Sequence, residues 1–473
     1  MSLLKNSPIA TFSASRRRLL QGSVGLVAGG LGLNLQSIAA ASGTADYKAL
    51  VCIFLQGGND SANTVIPYGS AEYNDYLAAR LGSTRLRADL LPISTPAVKD
   101  GRAFALPKEM AAMKSLYDQG KVAIVANVGT LAAPITRAQY EARSVEIPPQ
   151  LFSHSDQANF WQIGVPSYST STGWGGRLAD LLIAANAGGK VSSSISVNGN
   201  NLWQVGASTV QYPLSPDGGA VTIQDLDDPA YGTALKAMLG QARTNLLERE
   251  VGSVYRRSIA TSSAVIASLL RPDVAAVDTG FPRQAPTTGE LAVPRRMWWA
   301  QEELMGKLSM VARMIAASDA LGLKRQTFFV GLGGFDMHDS LSEHQYLLQA
   351  VSASIAAFYQ ATVALGVADK VTTFTASDFG RPWLASHGGS DHGWGGNHFV
   401  VGGAVKGGDL YGQFPVIDRN GPDTLGGQGH VIPTTSVDQY AATMARWMGV
   451  ADTDMRLVLP NIGRFSTSNL AFL

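Results

Sequence analysis

Apolar runs that end in glycine-rich turns, alternating with amphipathic helical stretches, are the feature that most restricts this chain's fold. Ala49–Gln56 (ALVCIFLQ) runs into Gly57-Gly58-Asn59-Asp60, Gln326–Leu332 (QTFFVGL) into GGFDMH, and Val371–Thr375 into ASDFGR. Val122–Asn127 and Phe399–Gly402 are two further strand-like runs. Pro107–Gln119 has Met110, Met113, Leu116 and Tyr117 at helical spacing, and Trp298–Leu321, His344–Leu365 and Val437–Met448 read as further helices. Continuous apolar strands between helices predict an α/β fold, a mostly parallel central sheet flanked by helices on both faces. Residues 190–214 alternate in a β-like way around an Asn198-Gly199 turn, and 223–294 are helical and loop-rich, so 165–294 is expected to be a β/α segment inserted into one domain.

The N-terminus carries an export signal. Ser15-Arg16-Arg17-Arg18-Leu19-Leu20 places paired arginines directly before a Gly-rich apolar run, and Ala39-Ala40-Ala41 offers small residues for cleavage. The run is too short for a stable membrane span. The twin-arginine translocase is therefore an expected partner and the periplasm the expected location, with 1–41 as signal and 42–473 as the mature domain. Loss of that segment's four basic residues, from a chain with 37 basic and 36 acidic ones, turns a net charge of +1 into −3. No basic face for nucleic acid is implied. The single cysteine, Cys52, excludes an internal disulfide and reads as a small buried hydrophobe.

In open α/β sheets, ligands bind outside the carboxyl ends of the strands. The three strand-end turns bring Asp60, then Asp336 with His338, then Asp378 with Arg381, and the loop after the last adds Asp391, His392 and His398. Five of the seven histidines fall between 338 and 398. Imidazole with carboxylate suits zinc, manganese or iron, whereas an all-oxygen set suits calcium or magnesium. Each aspartate alone has a plainer reading as a helix cap.

GGNDSANTVIPY, FSHSDQANFWQIG, GGFDMH and SDFGR…SDHGWGGNHFVVGGAVKGGDLYGQFP together resemble a family of twin-arginine-exported bacterial proteins with a domain of unknown function. That family is grouped with the sulfatase and alkaline phosphatase superfamily. The resemblance runs from about Leu50 to the C-terminus and is weak through the middle third. It implies an alkaline phosphatase-like fold with metal ligands at Asp60, Asp336, His338, Asp378 and His392. An alternative takes Asp391-His392 as the Asp-His pair and His398 as the last ligand. Phe379 stands where the superfamily's Ser-Asp-His-Gly turn has its metal-binding histidine. No Cys-x-Pro-x-Arg sulfatase signature is present.

For the nucleophile, Ser153 beside His154 is the first choice, with Ser155 and Thr136 behind it; a simple helix cap at Ser153 is the plainer reading. Arg381 suits either an anionic substrate oxygen or a neighbouring carboxylate. The resulting expectation is an exported metal-dependent hydrolase acting on small anionic phosphate or sulfate esters, attacked by activated water or Ser153. A binding or assembly protein that kept the fold and lost the chemistry is the main alternative. A metal-free serine esterase is a third, but no G-x-S-x-G elbow is present.

Overall fold

The structure, a computed structural model, describes residues 46–473 except 81, 99, 217–218, 221–225, 227, 242 and 386–387. The export segment and His387 lie outside the described residues.

In chain order the elements that frame the site are β1 (Lys48–Leu55), α1 (Ser70–Ala79), α2 (Ala111–Asp118), β2 (Val122–Gly129), α3 (His154–Ile163) and α4 (Trp174–Leu181). Next come β3 (Ser194–Ser196), β4 (Tyr212–Ser215), β5 (Gly219–Ala220), α5 (Leu246–Leu269), α6 (Trp298–Ala316) and β6 (Arg325–Leu332). The chain closes with α7 (His344–Ala364), β7 (Val371–Ser377), β8 (Gly396–Gly402), β9 (Asp409–Tyr411), β10 (Thr435–Ser436) and α8 (Val437–Met448).

Among the described residues these strands form one ten-stranded sheet in the order β9-β2-β8-β7-β1-β6-β3-β4-β5, with β10 beside β2. Six pairings are parallel; β7–β8, β8–β2 and β4–β5 are antiparallel. The fold is thus mixed α/β with a mostly parallel central sheet. The segment 165–294 contributes β3, β4 and β5, which continue that sheet beyond β6.

β1 shows why its sequence is apolar without a break. Ala49, Val51, Ile53 and Leu55 point into a core on one face, and Leu50, Cys52 and Phe54 into a core on the other. Successive side chains of a strand alternate faces, so a strand covered on both sides needs apolar residues throughout. Each Val, Leu, Ile and Phe among them contributes roughly 1.5–3 kcal/mol relative to exposure. Helices α2, α6 and α7 cover the first face through Met113, Leu304, Leu308, Leu347 and Val351; α3, α4 and α8 cover the second through Trp161, Trp174, Leu178 and Tyr440. Among the described residues α7 alone is long and apolar enough to cross a membrane, but 67% of its apolar window is buried inside the protein. It serves as a core helix.

The central register sets up everything that follows. Leu55 of β1 lies opposite Leu332 of β6 on one side and Ser377 of β7 on the other. Three parallel strands therefore end side by side, and their three turns emerge together.

Candidate metal centre

Glycine lets those turns interlock. Gly57 has φ +111°, and a Cβ there would sit 2.4 Å from the Asp336 backbone nitrogen. Its own N–H donates to Asp378 Oδ2 at 3.2 Å. Arg381, whose side chain is fully buried, ties the assembly together. Its guanidinium donates to the carbonyls of Gly57 (2.5 Å), Gly58 (3.0 Å), Phe335 (3.1 Å) and Ser390 (2.8 Å), and to Asp336 Oδ1 at 2.6 Å. All three turns and the 390 loop thus meet on one planar cation, whose donors are fixed in a rigid fork.

Beside this knot, ligand atoms of His154, Asp336, His338 and His392 lie within 4.8 Å of one another, a group able to hold a metal ion. Asp336 Oδ1 is 2.9 Å from His338 Nε2, 3.2 Å from His154 Nε2 and 3.6 Å from His392 Nε2. The Nε2 atoms of His338 and His392 are 2.9 Å apart. Two of the three imidazoles are held from behind. His154 Nδ1 lies 2.7 Å from Asp378 Oδ2, and His392 Nδ1 meets the carbonyl of Phe152. In both, Nδ1–H donating backwards leaves the Nε2 lone pair facing the group, the arrangement by which outer partners orient metal-binding histidines. Phe152 adopts φ +72° to aim that carbonyl, a strained conformation for a bulky residue. Phe379 packs its ring 4.7 Å from that of His154 and 5.0 Å from that of His392. It braces two imidazoles.

The charges fit this assignment. The hydrogen bond that His154 donates to Asp378 raises its pKa against the opposing effect of burial. Burial lowers that of His392, helped by the charges of His154 and Arg381, so its ring is neutral at pH 7. Burial would raise Asp336, but the hydrogen bond and charge of Arg381 outweigh it and hold the carboxyl below its usual range. His154 Nε2 is buried and has only Asp336 Oδ1, at 3.2 Å, within reach, which leaves it aimed into the group. An ion at the group's centre would meet this nitrogen together with Asp336, His338 and His392. Three imidazoles with one carboxylate suit zinc, manganese or iron better than calcium or magnesium, which take oxygen shells.

The structure brings together His154, Asp336, His338 and His392, and sets Asp378, Asp391 and Arg381 around them. Asp378 stands behind His154. Asp391 sits at the mouth, 4.0 Å from His338 Nδ1, and accepts the His392 N–H at 2.8 Å. Arg381 answers the question left open between substrate and carboxylate: its partner is Asp336. Asp60 is not brought to the group. It is buried and paired with Arg80, itself fully buried at the end of α1 and also bonded to the carbonyls of Pro382 and Trp383. Ser153 stands at the first turn of α3, but its hydroxyl caps nothing and donates to Asp156 Oδ2 at 2.5 Å.

His398 corrects the expectation most clearly. β8 begins at Gly396, so His398 lies on a strand rather than on the loop, with its ring between Trp161 and Tyr440. Burial there pushes its pKa from an ordinary 6.5 down to about 3. The unfolded chain binds the extra proton in that window, so stability present above about pH 6.5 is lost as pH falls toward 3. Between pH 7 and 5 this one group removes about 2 kcal/mol. His398→Leu is expected to reduce the acid-induced drop in the urea midpoint by that share; an unchanged pH profile would contradict a neutral buried ring.

Sequence reasoning missed two members. His154 was assigned beside a nucleophile, although a histidine opening a helix after FS in FSHSDQANFWQIG is well placed to enter a site. The Phe152 carbonyl leaves no trace in side-chain chemistry.

Among solved structures, similar ones include Ps i-CgsB in complex with k-i-k-neocarrahexaose, at 10% identity over 89% of this chain and 77% of that one, TM-score 0.33. Ps i-CgsB alone follows at 10%, 88% and 75%, TM-score 0.31. A mutant of alkaline phosphatase PafA gives 11%, 72% and 64%, TM-score 0.27. Likeness this slight carries no argument about activity. No match is found among curated proteins. A family profile, in contrast, matches residues 47–464, nearly the whole described chain, and the chain belongs to that family, described as "Protein of unknown function (DUF1501)".

Proposed function

We propose that this protein holds one divalent transition-metal ion, zinc or manganese, on His154, Asp336, His338 and His392, and uses it to hydrolyse small phosphate or sulfate esters. The convergence of three imidazoles and one carboxylate at the carboxyl ends of parallel strands carries the reading. A bound ion would supply Lewis acidity toward an ester oxygen and toward water. The chain's own residues do the rest. Asp378 and the Phe152 carbonyl fix the tautomers of His154 and His392. Arg381 holds Asp336 charged. Asp336 and His338 are the partly exposed members, which opens the group to solvent on their side. Water is favoured over Ser153 as nucleophile. Hydrogen bonds from Ser153 and Tyr168 hold Asp156 below its usual range, making it a poor base for the serine proton.

One ion rather than two is favoured because Arg80 neutralises the carboxylate the superfamily pattern would give to a second one. The paired arginines and small-residue tail of residues 1–41 support export through the twin-arginine translocase to the periplasm, a route that accepts cargo already folded.

The test is metal content by mass spectrometry on protein purified without chelator, followed by assays on aryl phosphates and sulfates with added zinc or manganese. About one equivalent with turnover is expected; metal-free protein that stays inert with both ions would sink the reading. Asp378→Asn keeps the shape and removes the charge behind His154, and is expected to weaken metal affinity about 10–100-fold in chelator competition. An unchanged affinity would remove Asp378 from the site.

The arginines matched to Asp60 and Asp336 also favour a second reading, a binding or assembly protein that performs no chemistry. It predicts bound metal without turnover, and a biological phenotype that survives alanine at His392.

A further inference from the structure

Among the described residues, His338 is the one imidazole of the metal group with no partner at hydrogen-bond distance behind it. His154 rests on Asp378, and His392 on the Phe152 carbonyl. Behind His338 the nearest carboxylate oxygen is Asp391 Oδ1, 4.0 Å from Nδ1. The backbone sets this pairing. Ser390 N–H donates to the Met337 carbonyl at 3.0 Å and Leu341 N–H to the Gly388 carbonyl at 2.8 Å, so residues 337–341 and 388–390 run against each other. Gly389 makes the approach possible, since a Cβ there would fall 1.8 Å from the His338 carbonyl oxygen. Arg381 clamps the same segment through the Ser390 carbonyl at 2.8 Å. Asp391, next in line, is thereby carried to the back of the His338 ring.

The carboxylate is held in place there. Its Oδ1 accepts the His392 N–H at 2.8 Å, and the Gln428 side chain donates to the same group. His338 and Asp391 are both about half exposed, so packing locks neither side chain. Small torsional changes suffice to close the remaining gap of about 1 Å to hydrogen-bond length. We propose that Asp391 is a positioning residue that accepts the Nδ1–H of His338 and so keeps the Nε2 lone pair of that ring on the ion. The role rests on the metal reading above. It gives each of the three imidazoles its own outer acceptor, the arrangement that fixes ring and tautomer in metal sites. It also couples two ligands, because one carboxylate then bridges the His392 main chain and the His338 ring.

Zinc affinity of the full chain, measured by chelator competition, tests this. Asp391→Ala is expected to weaken binding about 10–100-fold with an unchanged circular dichroism spectrum. Asp391→Asn keeps a carbonyl oxygen able to accept the proton, and its affinity should fall between those of Asp391→Ala and the unaltered protein. A double-mutant cycle separates this role from others. In a His338→Gln background, adding Asp391→Ala should cost no more than about twofold, the usual scatter of such cycles. An equal loss in both backgrounds would mean that Asp391 binds the ion itself or acts only through the His392 main chain, and would overturn the proposal. So would an Asp391→Ala protein that binds zinc as tightly as the unaltered one, a result that leaves the metal reading standing. An unaltered protein that takes up no zinc would overturn both.

Discussion

Replacing His154 with alanine is expected to bring bound metal from about one equivalent to near zero after a single chelator wash, with the fold intact. The imidazole is one of the four donors proposed for the ion, and the affinity lost should exceed the roughly 100-fold ceiling typical of removing an outer partner. The substitution also removes a ring that packs on Phe379 and His392, so a modest loss of stability accompanies it. His154→Gln serves as the control for packing, since it fills much of the same space without an imidazole. Because the empty site binds a proton where it would bind metal, and Asp378 raises the proton affinity of His154, metal affinity should also fall as pH is lowered. A variant that keeps its metal would show that His154 is only a neighbour of the ion.

Asp60→Ala should have the opposite signature: a large loss of stability and unchanged metal content. The carboxylate is 1% exposed and the guanidinium of Arg80 is fully buried, so removing one partner leaves a cation without its counter-charge. Breaking such a pair costs about 3–5 kcal/mol. The Pro382 and Trp383 carbonyls keep two of the Arg80 hydrogen bonds and should hold the effect toward the lower end of that range. Urea unfolding read beside metal analysis separates the outcomes. A stable variant that loses metal would return Asp60 to the coordination sphere.

The framework of this fold was legible because burial on both faces writes itself into sequence. β1 is apolar throughout after Lys48, β6 and β7 carry apolar residues alongside Gln326, Thr327 and the threonines of β7, and all three run straight into glycine- and aspartate-bearing turns. That rule led to Asp336, His338 and Asp378. It overreached at Asp60, whose turn looks like the others, because the residue that claims it is twenty positions away at the end of a helix and carries no local mark. It misplaced His398 because β8 starts three residues before its apolar stretch does, at Gly396 rather than Phe399. The antiparallel entry of β8 between β2 and β7 was equally hidden, since strand direction depends on the path of the intervening loop and not on the strand's composition. His154 was visible as a residue but not as a member of the group, because it arrives on a helix from a part of the chain with no strand end beside it.

The way Arg381 is held has a practical consequence for protein engineering. Four of its five partners are main-chain oxygens, which every amino acid supplies alike. Side chains on the surrounding turns other than Asp336 can therefore be exchanged, wherever glycine is not required, without loosening the anchor. Libraries built on those positions would vary the groups around the three imidazoles while the buried cation beneath them keeps its place.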